Sequence, residues 1–349
     1  MPNIEDSIGD VKAFMTPNSQ TTSSAILAAL QSCAWIERSG TAIIDVLGAD
    51  SLDLLHRLST NELSRTPVGS GKLTVLLTDK ARIIDVVAVL VHATGVRLVG
   101  SSNTADRIIR WMRTYIITDD AKPRNVSETW SVFDILGPRA ADATTELTGV
   151  DASTIAMSGW FTAEVNGVPV TVVRIPALAE LTYRFLVPAE HGQSFRNDVL
   201  GANTVIPELT SEDYTYLRVR AGMGESGAEW TDAYNPLEAG LLHLTSFTKG
   251  CYLGQEVIAR LDSYNKVKQR LMGFEGSSEL LNGGTIIVNE VAVGTLTTVV
   301  PSHRPGRALA IGYIRNEHAH EGSKVIIRSQ TGDYEATVRR LPQQDELDA

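Results

Sequence analysis

The chain of 349 residues carries 31 Lys and Arg against 41 Asp and Glu, a formal net charge of −10 at pH 7. That balance would repel a phosphate backbone, and no basic run interleaved with aromatics offsets it, so direct nucleic-acid binding is not expected. Hydrophobic residues at 43% and charged residues at 21% describe a chain that buries cores, and its length favours two or three of them over one.

Apolar runs such as Ile83–Val91 are far shorter than a bilayer span, so no membrane partner is expected. The first 34 residues lack a basic region ahead of an apolar core and lack an Arg-rich amphipathic pattern. With two cysteines only, Cys33 and Cys251, a disulfide framework is ruled out and a reducing, cytoplasmic compartment is indicated.

Residues 1–22 are polar and without period, which predicts a flexible segment. From Ser24 the pattern predicts a strand at Thr41–Leu47, a helix at Ala49–Leu58, and strands at Lys72–Thr78, Arg82–Val91 and Val96–Gly100. A helix follows over Thr104–Ile117, with Asn103 as cap and Ala105, Ile108, Ile109, Met112 and Ile116 on one face. This is a split βαβ unit over 23–125. A second α+β lobe spans 126–265: strand Ser131–Leu136, a helix after Gly137-Pro138, strands Val168–Ile175 and Tyr183–Val187, and a helix near Gln193–Val199. Beyond Arg270, six short β-prone runs separated by Gly, Asn and Pro predict a barrel over 266–342, ahead of a frayed tail at 343–349.

The most informative stretch is Lys249-Gly250-Cys251-Tyr252-Leu253-Gly254-Gln255-Glu256, followed by Ala259-Arg260. Two glycines bracket the thiol and a helix-prone run follows, placing Cys251 in a loop near a helix N-terminus and beside a lysine. Such a site favours a reactive or metal-binding thiol; for an isolated cysteine the ordinary alternative is a small buried hydrophobe. Cys33, followed by Ala34-Trp35-Ile36, reads as the buried thiol, with its pKa raised.

These residues resemble the signature of the YgfZ family, relatives of the glycine-cleavage T-protein that bind folate and support iron–sulfur enzymes. Leu55–Glu62 and Leu77–Asp85 are similar to further stretches of that family, with Glu62 and Ala81 departing from its usual Asp and Gly. The resemblance implies an α+β, T-protein-like ring of three domains: two ferredoxin-like lobes and a C-terminal β-barrel around a folate channel. It also implies a monomer that binds tetrahydrofolate or a one-carbon derivative and meets iron–sulfur client or assembly proteins, with indirect effects on tRNA modification. The alternative is a folate-dependent aminomethyltransferase or demethylase.

Residue by residue, the resemblance gives Glu180 and Tyr183 to the pterin, where a carboxylate can accept paired N–H donors. Arg218 would line the channel or meet the folate glutamate, and Asp85 falls where the T-protein has the first of two Asp residues, Val86 replacing the second. Asp85 and Cys251 are the candidate catalytic residues. Lys249, Tyr252, Gln255 and Arg260 join the cofactor-binding set. Solvated or packing roles stay open for Glu180, Arg218 and Asp85.

Other signals fall away. Gly69-Ser70-Gly71-Lys72 lacks the Ser or Thr of a phosphate loop, since Leu73 follows, and His318 and His320 sit in a polar loop. No metal site is predicted, and one thiol cannot enclose a cluster that needs about four ligands.

Overall fold

The computed structural model describes residues 23–202, 206–264 and 266–343. The segment 1–22, read above as flexible, and the tail from 344 lie outside the described residues. Gln343 does not belong to a frayed tail: it is buried, and its amide donates to Val219 O at 3.2 Å and Ala310 O at 3.0 Å.

After α1 (Ser24–Gln31) come β1 (Ala34–Glu37), β2 (Thr41–Leu47), α2 (Ser51–Leu58), β3 (Gly71–Leu77), β4 (Ile83–His92), β5 (Gly95–Ser102), α3 (Ala105–Arg113) and β6 (Lys122–Asn125). Then follow β7 (Trp130–Leu136), α4 (Ala140–Thr148), β8 (Trp160–Val165), β9 (Val168–Arg174) and β10 (Thr182–Pro188). Next are α5 (Gly192–Ser194), which runs into a π-helical turn through Leu200, α6 (Ser211–Ala221) and α7 (Gln255–Ser263). The chain closes with β11 (Gln269–Ser277), β12 (Thr285–Val288), β13 (Val291–Pro301), β14 (Arg307–Arg315), β15 (Lys324–Ser329) and β16 (Gly332–Arg339).

Three β systems result: a first sheet β3-β4-β5-β2-β6, a second sheet β1-β7-β10-β9-β8, and a closed barrel β11-β14-β13-β12-β15-β16. β1 pairs with β7 over Ala34–Glu37, so the first strand among the described residues belongs to the second sheet, ahead of the strands of the first. Helix α3 is shorter than its periodicity suggested and is capped at Thr104 rather than Asn103, which sits at φ +61° with its N–H on Gly40 O.

Period-2 alternation decides which face each strand residue meets. In the first sheet, Ile44, Val87, Val89 and Leu98 pack under α2 and α3, whereas Ile43, Ala88, Leu90 and Val99 face the other way. In the second, Phe133, Ile135, Tyr183 and Phe185 pack with α4 and the α5 segment, and Val132, Val173 and Leu186 face the first sheet. The inner faces therefore meet, and helices cover both outer faces. α6 bridges from this pair of lobes to β13 and β14 of the barrel.

The barrel carries its own charged tie. Glu275 is buried and accepts from Arg339 Nε at 3.1 Å, Arg304 Nη1 at 3.2 Å and Arg307 Nη2 at 3.3 Å. Burial pushes its carboxyl up, but the guanidiniums of Arg339 and Arg307 outweigh that and hold it below its ordinary value. A carboxyl lowered in the fold stabilises above its unfolded pKa and stops doing so as pH falls through the folded one. Glu275→Gln is expected to cost about 1–2 kcal/mol at neutral pH, the arginines being partly exposed. Its melting temperature should also fall less steeply than the wild type's between about pH 5 and about pH 3; equal slopes would remove Glu275 from the acid response.

Candidate functional site

The packed interface between the sheets runs out at one end, where the next inward residues are small or polar. Along β4 the inward series reads Leu90, Ala88, Val86; along β10 it reads Leu186, Arg184, Thr182; along β7 it passes from Val132 to Asp134. A chamber of about 100 Å³ opens there, closed by the segment after β9 (Ile175, Pro176, Leu178) and by Tyr214 and Arg218 of α6. It shares Leu73, Val86, Pro176, Met223, Gly224 and Trp230 with a larger chamber of about 670 Å³ that reaches the barrel. The large chamber is walled by Leu237–Leu241, Leu244, Leu271, Met272 and Leu341, with Glu238, His243, Arg270 and Arg340 among them.

One wall of the inner chamber is apolar and the other carries paired charges. Arg184 binds the fully buried Asp134 in a fork, Nε at 2.7 Å and Nη2 at 2.8 Å. Burial opposes the charge on Arg184, but Asp134 more than offsets it and raises its pKa. Arg218 donates to Glu229 Oε2 at 2.6 Å, to Met223 O at 2.8 Å and to Thr298 Oγ1 on β13 at 2.9 Å. Glu229, fully buried, also accepts from Thr297 and Thr298 hydroxyls at 2.6 and 2.7 Å. Arg218 is thus neither a surface charge nor a free anion receptor: it joins α6 to the barrel. Arg38 lies over the Tyr214 ring at 3.7 Å and pairs with Glu225 at 3.3 Å.

Two expected site residues stand one position out of register. Asp85 points to the α3 face, where it accepts from Ser101 Oγ (2.6 Å), Ser101 N (3.1 Å), Thr104 Oγ1 (2.8 Å) and Val86 N (2.9 Å). Burial raises its pKa, and it does not line the chamber; Val86 does. Tyr183 is fully buried in the second lobe's core with its hydroxyl on Ala152 O at 2.8 Å, while Thr182 and Arg184 on either side face the chamber. In a strand, a shift of one residue exchanges the faces. Glu180 is exposed in the turn before β10 at φ +62° and lines neither chamber.

The Lys249–Arg260 stretch packs on the first lobe, away from both chambers. Lys249 is buried, and its ammonium donates to His56 O, to Ser59 O at 2.8 Å and to Asn61 O at 2.8 Å, under the Tyr252 ring at 4.9 Å. The lysine is therefore spent on the 56–61 turn and not on the thiol. The two stretches that resemble one family turn out to hold each other. Leu253 N–H donates to Arg57 O at 2.9 Å, and Gly254, at φ +79°, lies so close to Ala81 and Thr78 that a Cβ would approach them at 3.0–3.1 Å. Tyr252 is buried, its hydroxyl pushed up to about 12 by burial, and its N–H donates to Gln255 Oε1 at 3.2 Å. Arg260 is exposed in the last turn of α7.

Cys251 stands exposed between those anchors, whereas Cys33 is buried and its thiol raised by burial. A maleimide should label one thiol per native chain, at Cys251, and reach Cys33 only after unfolding. Peptide mapping of a native digest that found both labelled would contradict this.

Residues 11–249 match the model of the GCVT N-terminal domain, and residues 269–345 match the glycine cleavage T-protein C-terminal barrel domain. The chain belongs to the glycine-cleavage T-protein family. A chloroplastic protein of Arabidopsis thaliana, provisionally named a transferase, is 29% identical over 81% of this chain, which spans 66% of that protein's length. An aminomethyltransferase of Thermosynechococcus vestitus is 27% identical over 80% of this chain and 76% of its own length. The crystal structure of glycine cleavage system aminomethyltransferase T from Bartonella henselae superposes with a TM-score of 0.79 at 17% identity, covering 91% of this chain and 88% of that one. At that identity the likeness concerns the T-protein fold, which the three β systems here reproduce.

Arg184, Asp134, Glu229 and Trp230 were not among the expected site residues. Arg184 and Asp134 were findable as charged residues inside otherwise apolar strands, Ser131–Leu136 and Tyr183–Val187, where burial demands a partner. Glu229 and Trp230 lie in an irregular segment whose sequence carries no period.

Proposed function

We propose that the chain binds a reduced folate in the chamber and serves, in the manner of the YgfZ proteins, as a cytoplasmic, monomeric accessory to iron–sulfur enzymes. The observation that carries this reading is the register of β4, which presents Val86 to the chamber where the T-protein resemblance calls for the second of two carboxylates. The carboxylates that do line it are engaged, Asp134 with Arg184 and Glu225 with Arg38. Neither is placed to hand a proton to a reacting nitrogen without first breaking an ion pair.

The residues present suit a pterin. A flat ring with polar edges needs apolar faces and a polar rim, which Val86, Ala88 and Val99 on one side and Thr182, Arg184 and Asp134 on the other supply. The indole N–H of Trp230, at the junction of the chambers, is buried without a hydrogen-bond partner and offers a donor to a ligand. The folate itself supplies a nitrogen that carries a one-carbon unit; the chain's part is to bind, orient and shield it. Arg270 and Arg340 in the outer chamber suit the acidic end better than Arg218, which is committed to Glu229.

Cys251, exposed on a loop pinned at Lys249 and Leu253, is the thiol able to reach a partner's cluster. The remaining ligands of such a cluster come from the partner. The test is a transfer assay with an aminomethyl donor and tetrahydrofolate at saturating protein. The wild type should bind the folate without turnover above the uncatalysed rate. Multiple turnovers that survive Cys251→Ser would favour the aminomethyltransferase reading instead.

A further inference from the structure

We propose that Arg38 gates a second entrance to the inner chamber, through which water or a small neutral solute reaches the bound ligand; this rests on the chamber being the folate site. A cavity of about 600 Å³, lined by residues of the two lobes and none of the barrel, lies behind the chamber. It shares Arg38 and Thr41 with the inner chamber, so both residues stand in the wall between the two. Glu37, Ser39, Asn125, Ser127 and Glu128 make its lining polar, unlike the apolar outer chamber on the barrel side.

Arg38 is held in a way that suits a gate. Its backbone is fixed, the N–H on Val132 O at 2.7 Å and the carbonyl accepting from Thr41 Oγ1 at 2.8 Å, so only the side chain can swing. Three arginines line the inner chamber, and two of them are locked: Arg184 by a fork to a fully buried carboxylate, Arg218 by bonds of 2.6–2.9 Å to Glu229, Met223 and Thr298. Arg38 has one contact of 3.3 Å to Glu225, whose side chain is 36% exposed, and the face of Tyr214. Its Nε is buried with no hydrogen-bond partner. The Arg38 side chain is 16% exposed, and its single 3.3 Å ion pair is longer than the bonds that hold Arg184 and Arg218, so it is the least constrained of the three. When the guanidinium swings off Tyr214, the rear cavity and the chamber become continuous.

The test measures access by a small neutral oxidant. Tetrahydrofolate is bound with protein in excess, hydrogen peroxide is added, and conversion to dihydrofolate is followed by absorbance. Two hydrogens leave the folate and peroxide is reduced to two waters. The folate dissociation rate of each variant is measured separately by chase. In the wild type the bound folate should be oxidised about tenfold more slowly than free folate, and Arg38→Ala and Glu225→Gln should each restore about tenfold faster oxidation without a matching rise in dissociation. Wild-type rates in both variants would overturn the gate. So would oxidation rising only in step with dissociation, which would make Arg38 a ligand contact. Failure of the wild type to bind tetrahydrofolate would instead defeat the folate reading, a separate result.

Discussion

Replacing Arg184 by alanine is expected to destabilise the protein by about 3–5 kcal/mol, because it leaves Asp134 as a buried charge without its partner. Asp134 is fully buried between the sheets, and both its oxygens are occupied by the Arg184 fork at 2.7 and 2.8 Å. The double variant Arg184→Met with Asp134→Leu removes both charges and should recover most of that loss, since buried pairs often add little net stability over apolar residues of similar size. It should nevertheless bind folate poorly, because the polar rim of the chamber is gone. Urea denaturation separates the effects. A double variant no more stable than Arg184→Ala would mean that the pair stabilises by more than mutual neutralisation.

Lys249→Met should cost about 2–4 kcal/mol, since three carbonyl groups of the 56–61 turn lose their donor in a buried site. The pH dependence has a definite sign. Burial pulls Lys249 from 10.5 down to about 8, so the fold disfavours its charged form. That cost is present below about pH 8 and fades as pH rises towards the unfolded value, so this residue alone makes stability climb across the window. A neutral amine still donates two hydrogen bonds, which lets the clasp survive deprotonation. Lys249→Met should lack the climb. A variant with wild-type stability and an unchanged alkaline profile would show the clasp to be ornamental.

The order and placement of most elements were legible because their signals are local. β2 falls on its expected bounds, and each of the six β-prone runs beyond Arg270 becomes one barrel strand, its ends set by Gly, Asn and Pro. β1, β6 and β8 were not. Ala34–Glu37 is too short for a period, and Lys122–Asn125, with a proline and two basic residues, has no β signature and is a strand only because it lies along β2. α6 hides its period because Asp213, Tyr214, Tyr216, Leu217, Arg218 and Val219 are all buried, charges included, between lobes and barrel.

The site was harder to read than the fold for a related reason. The resemblance located the strands that build the chamber, but function depends on which face a residue takes, and on β4 and β10 that differed by one position. Asp85 gave way to Val86, and Tyr183 to Arg184. The family-like stretches around Thr60 and Cys251 were visible in the sequence, yet nothing in either announces that Lys249 fills the turn of the other.

The most direct test of the account is an anaerobic calorimetric titration of the native protein with tetrahydrofolate, run beside Val86→Trp, whose indole would fill the inner chamber. The wild type should show one site per chain with a Kd of about 10 µM or tighter, and Val86→Trp an affinity at least about a hundredfold weaker at unchanged melting behaviour. Absence of binding to the wild type, or equal binding by both proteins, would contradict it.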